Sequence, residues 1–186
     1  MLVAYRIATY ELAEVDALVE WFREDSVKRA RRLESLAGRG GSSNRYVDNI
    51  EAIRSVSQLN SELSIVALWR CVELCRKRLI QGSLGNEAAR EAWTHRKALE
   101  KLKDLGIPER TIHDWKTVDE LRCLNNVIKH AGYIEGPLLK HGAWTPRAGE
   151  ILEGLEIEYP RLRLAAENYI KDLALQASKS LMSAHA

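Results

Sequence analysis

Apolar residues recur along the chain at three- and four-residue spacing, and nowhere do Val and Ile alternate with polar residues for long enough to form a strand. From about residue 8 to 37, Leu12, Val15, Leu18, Val19 and Phe22 make one apolar stripe, which predicts a first amphipathic helix. The glycine- and serine-rich run from Gly38 to Asn44 should break it. A second stripe, from about 46 to 80, uses Ile50, Ile53, Val56, Leu59, Leu63, Val66, Leu68, Trp69, Val72 and Leu79. Its middle, Leu63 to Leu74, is apolar on more than one face, as in a helix at the centre of a bundle. The segment Gln81 to Asn86, with Gly82 and Gly85, is expected to end this helix.

A third helix is expected over about 87–105, stopping at Gly106-Ile107-Pro108. A fourth, capped by Thr111 or Asp114, runs to about Ala131 with Gly132 as its C-cap. Residues 133–160 read as irregular, with four glycines and three prolines. A last helix covers about 161–181, with Pro160 at its first position. Five helices with mostly short connections predict an all-α, antiparallel bundle of about five helices, in a single domain over residues 1–186.

Composition agrees with a globular chain: 46% apolar and 29% charged. A net charge of +2 gives no global pull toward nucleic acid or membranes, so local clusters must carry any such binding. No apolar stretch approaches the ~18 residues of a membrane span, and no charged segment followed by an apolar run opens the chain. A cytoplasmic protein without membrane attachment is the expectation. Cys71, Cys75 and Cys123 show no zinc-finger spacing and read as free buried thiols. His95, His113 and His141 lie far apart without ligand spacing, so neither metal nor cofactor is expected. Two basic runs, Lys28 to Arg32 and Arg76 to Arg78, are candidates to track a phosphate backbone, although such runs on helices usually only solubilise.

The fourth helix departs from an ordinary solvated face. With Arg122 as the zero of a helical wheel, Asn126 falls near about 40°, Lys129 near about −20°, His130 near about 80° and Asn125 near about −60°. Leu121, Leu124, Val127, Ile128 and Ala131 fill the opposite arc, so the polar set is expected to point away from the stripe that docks the helix. Asparagine is a mediocre helix former, and two in succession mid-helix are unusual. Arginine and lysine hold phosphate, asparagine orients polar groups, and histidine moves protons near neutral pH. Trp115 and Val118 share the arc and are expected to cover it with a second copy, as a two-fold interface requires.

Arg122, Asn125, Asn126 and the Lys129-His130 pair, followed by Ala131-Gly132, resemble the signature helix of HEPN domains. The segment from Glu62 to Leu74, with Trp69 and Arg70, resembles a core helix of the same family, and the resemblance spans roughly residues 46 to 175. It implies an all-α bundle of the kind found in prokaryotic toxin and defence proteins, and in many members a metal-independent endoribonuclease that joins two signature helices across a dimer cleft. For this chain it implies RNA or a nucleotide as ligand and a homodimer. His130, Arg122 and Asn126 would be catalytic, and Lys129 and Asn125 would bind substrate. The family's mark places four to six residues, the first of them polar, between arginine and histidine. Here seven intervene and the first is Cys123, so the pair stands about 12 Å apart along the axis. Three arrangements remain open: Asn126 works with His130, Arg122 reaches in from a partner, or the site only binds. In the last case the domain is a dimerisation or protein-interaction module.

Overall fold

The helix expected at the centre is the spine of the fold. In the computed structural model, which describes residues 2–37, 43–130 and 132–183, five α-helices and no strand occur among the described residues. α2 (Ser43–Glu91) buries Ile65, Leu68, Trp69, Val72, Leu79 and Ile80 and packs against all four others: α1 (Leu2–Ala37), α3 (His95–Asp104), α4 (Trp115–His130) and α5 (Leu155–Ser183).

α2 continues past the expected stop at Gln81 and bends at Gly85, whose φ of 91° suits a residue without Cβ. Gln81 Nε2 donates to Asn86 Oδ1 across the bend (2.7 Å), and Gly82 costs only about 1 kcal/mol within a helix. α3 therefore begins later than the apolar period indicates. Thr94 caps it, its hydroxyl accepting from the Lys97 amide. Gly106, with φ 74°, ends it in a Schellman turn, the Ile107 amide reaching the Leu102 carbonyl at 2.9 Å with both side chains buried. α4 is preceded by Asp114 at φ 58°, a left-handed position held by Asn168 Nδ2 at 3.0 Å. Gly132, at φ 69°, turns the chain out of α4, its amide bonding the Val127 carbonyl; Ala131 lies outside the described residues. α5 starts ahead of Pro160, which therefore lies inside the helix and not at its first position, with no N–H to donate to the preceding turn.

Cross-helix bonds fix the directions. Glu11 of α1 pairs with Arg78 of α2, while Val19, Arg23 and Val27 line a groove of about 340 Å³ with Ser57, Asn60 and Ser64, so α1 and α2 run antiparallel. Glu120–Arg161 and Asp114–Asn168 set α4 antiparallel to α5. Gln58 bonds the Leu152 carbonyl and Arg76 bonds Tyr169, so α2 and α5 run parallel. In this register the C-terminal end of α4, Gln58 of α2 and Val27 of α1 lie at one end of the bundle.

Residues 133–154 are ordered, although the sequence pattern predicts no element there. Their two ends meet in a short bridge, Ile134 N to Glu150 O at 2.8 Å and Leu152 N to Gly132 O at 2.9 Å. Ile134, Leu138, Trp144 and Leu152 fill the inside of this Ω-shaped loop and join the core.

Candidate functional site

α4 is anchored by Glu120, a carboxylate in the core. It accepts from Trp144 Nε1 at 2.7 Å and from Arg161 Nη1 and Nη2 at 3.0 and 2.6 Å. Burial opposes its charged form, but the bonds from Arg161 and Trp144 prevail and its pKa falls below the ordinary carboxylate value. This anchor presses the loop onto α4 and sets how far each neighbouring side chain is covered.

The polar arc of α4 is divided by that loop. Arg122 does not project into solvent. It is half-buried, its guanidinium held by Asp119 at 2.7 Å and directed at Cys123 Sγ at 3.3 Å. His141, delivered by the 3-10 segment Gly136–Lys140, places Nε2 3.5 Å from the other Asp119 oxygen. Asn125, only 2% exposed, points inward with its Oδ1 unpartnered, and its Nδ2 makes one long bond to Asn126 (3.4 Å). Val118 lies wholly in the core and Trp115 packs against it, so these two do not form the outward patch that the wheel implies. The wheel fails here because it assumes one docking face, whereas α4 is covered by α2 and α5 and again by the loop. Asn126, Lys129 and His130, beyond the loop's cover, are exposed at the helix end.

Behind Arg122 lies a second polar cell that the sequence pattern does not reveal. Arg76 of α2, 2% exposed, donates to Tyr169 Oη (2.9 Å), to His95 Nδ1 (3.0 Å) and to Glu109 (2.7 Å), and its guanidinium lies over the rings of Trp69 and Tyr169. Accepting from an arginine makes His95 the neutral Nε2–H tautomer. Desolvation, then the charges of Arg76 and Arg122, lower its pKa to about 4 against a smaller pull from Asp119. Burial raises the Glu109 carboxyl above its usual range, against the pull of Arg76. The one sequence signal for this cell is an arginine set between Cys75 and Leu79, in the apolar stretch of α2.

The basic run at Arg76 to Arg78 is therefore not a surface strip: Arg76 is inside, and Arg78 is half-buried on Glu11. The run at Lys28 to Arg32 differs, with Lys28, Arg29, Arg31 and Arg32 exposed on α1. Lys28 and Arg29 meet Glu24 and Asp25 one turn back, pairs worth about 0.3–0.5 kcal/mol at a helix surface. The three cysteines are free and buried, and burial pushes Cys71 and Cys75 up to about 11 and 12, as befits inert thiols.

No family model matches the chain, and neither a curated protein nor a solved structure matches it. Among the described residues no helix is long and apolar enough to cross a membrane.

Proposed function

We propose that this chain is a HEPN-like helical domain that binds single-stranded RNA at the bundle end carrying the α4 C-terminus. The observation that supports this reading is where the uncovered polar groups lie. Asn126, Lys129 and His130 are exposed at the end of α4, and the register brings that end level with Val27, just ahead of the exposed Lys28 to Arg32 run. Lys129 and the α1 run would hold phosphates, Asn126 a 2′-hydroxyl or base edge, and His130 would exchange the proton of the 2′-hydroxyl. Arg122 is paired with Asp119 one turn back on α4, so it supports the helix rather than reaching substrate in the same copy. A homodimer would double this surface, and the toxin or defence setting rests on the family resemblance alone.

The test is fluorescence anisotropy with a labelled single-stranded RNA. Two phosphate contacts on a single strand give a slope of about −1.4 in log affinity against log salt, or about a sevenfold loss between about 50 and 200 mM salt. Lys129→Ala should weaken binding and flatten that slope. Affinity that ignores both salt and Lys129 would leave a protein-interaction module in its place.

A further inference from the structure

We propose that Asp119, Cys123 and His141 form a binding site for one borderline-soft divalent ion of the zinc class, held between α4 and the loop. Asp119 and Cys123 stand four residues apart on one face of α4, and His141 is brought over them by the Gly136–Lys140 segment. One ligand atom from each lies within 4.8 Å of the others. Around a tetrahedral zinc, with bonds of ~2.0–2.3 Å, ligand atoms sit roughly 3.3–3.8 Å apart, so a small rotamer adjustment closes the set.

A second observation is independent of that spacing. The His141 Nε2 atom is buried without a hydrogen-bond partner, and Asp119 Oδ2 stands 3.5 Å away. An imidazole nitrogen stripped of water and given nothing in return is a cost that a bound ion would remove. Arg122 donates to the Asp119 oxygen on the far side from His141 and points at the Cys123 sulfur, so it orients both ligands as an outer-shell group. Carboxylate and thiolate together cancel the ion's two charges and leave the Arg122 charge as the remainder.

The donor set chooses the ion. A thiolate with an imidazole suits zinc, cobalt or nickel and is poor for magnesium or calcium, which want oxygen. Binding replaces the Cys123 S–H bond with a sulfur–metal bond and releases one proton to solvent. Three protein ligands leave a fourth position, and the partial exposure of Asp119 and His141 lets water fill it. The linear order of the histidines conceals this set, because His141 joins α4 only through the fold of the loop. The site's α4 ligands lie about 10 to 17 Å up the helix axis from His130, and the site does not depend on the RNA reading.

The experiment is titration of the chelator-stripped full chain with Co²⁺, read by absorbance. A thiolate-to-cobalt charge-transfer band saturating at one equivalent is expected, and Zn²⁺ should displace it. Cys123→Ser should abolish the band, and His141→Ala and the near-isosteric Asp119→Asn should each weaken binding at least 10- to 100-fold, the loss that even outer-shell changes cause. Cys71→Ala and Cys75→Ala should leave it intact. Circular dichroism establishes that each variant is folded, and should Cys123→Ser not fold, Asp119→Asn decides the matter. No band in the folded wild type, or one unchanged in the folded Cys123 or Asp119 variant, overturns the site.

Discussion

The indole N–H of Trp144 donates to the Glu120 carboxylate across 2.7 Å with both side chains buried, so the loop and α4 share one hydrogen bond in the core. Arg161 reaches the same carboxylate from α5 and, being half exposed, can return to water if that partner is removed. Trp144 cannot. Glu120→Ala should therefore destabilise the fold by about 2–4 kcal/mol, below the upper end for a fully buried pair. Glu120→Gln keeps an acceptor for the indole and should cost about 1–2 kcal/mol. Urea unfolding of the two variants measures the difference, and equal losses would mean that the indole bond contributes nothing.

His95 gives the fold a dependence on acid. Its folded pKa, about 4, lies below the 6.5 of the unfolded chain, so between these values the unfolded state binds more protons and stability falls as pH falls. Above about 6.5 this loss is absent. At 1.36 kcal/mol per unit the span bounds the loss at roughly 3 kcal/mol, reduced by the water that reaches the ring. Glu109, with its raised pKa, works in the opposite sense, since its protonated form is the one that folding favours. His95→Gln removes only the histidine contribution. Its stability should fall less than that of the wild type from pH 6.5 to 4.5, and parallel curves would refute the assignment.

Much of the architecture is legible because helices repeat every 3.6 residues and this chain keeps that period. Boundaries are less so. Gly82 and Gly85 read as a stop, yet only Gly85 takes a conformation that needs glycine; at the other helix end, Thr94 supplies the cap that the apolar period hides. In the candidate site, the exposed end at Asn126, Lys129 and His130 follows directly from the wheel. The inward turn of Asn125 does not, because a wheel with a single docking face cannot show its burial; the capture of Arg122 by Asp119 is an i,i+3 pair within α4 that charge spacing alone makes legible. Arg76 reads as part of a charged run because a run is a local pattern, whereas its partners Tyr169, His95 and Glu109 come from three other elements.

The two basic runs should separate cleanly in experiment. Replacing Lys28, Arg29, Arg31 and Arg32 together by alanine should lower RNA affinity, with little change in stability. The salt slope should become shallower by about 0.7 for each phosphate that these side chains neutralise. Arg76→Met should do the reverse. It leaves Tyr169, His95 and Glu109 without their shared donor and should cost about 3–5 kcal/mol, while the salt slope of any RNA binding stays that of the wild type. If the α1 variant binds RNA as tightly as the wild type, the RNA-binding surface does not extend onto α1.

The sharpest expectation concerns His130. RNA carries its own nucleophile, and cleavage needs a base to take the 2′-hydroxyl proton, a proton from an acid or water for the departing 5′-oxygen, and cations to steady the charge that gathers on the phosphate oxygens. His130 supplies an exposed imidazole, with Lys129 beside it and Asn126 one turn back along α4. Cleavage by the purified chain should leave a cyclic phosphate, and His130→Ala should slow it by about 100- to 10,000-fold. The variant's melting temperature should match that of the wild type, because the side chain lies outside the core. Chelators should not change the rate, since the α4 ligands Asp119 and Cys123 stand about 10 to 17 Å from His130 along the helix. Arg122→Ala, by contrast, should act through stability, its guanidinium being committed to Asp119. Equal cleavage by wild type and His130→Ala would remove the histidine from the reaction. A wild type that binds RNA without cutting it would leave the same surface as a reader of RNA alone.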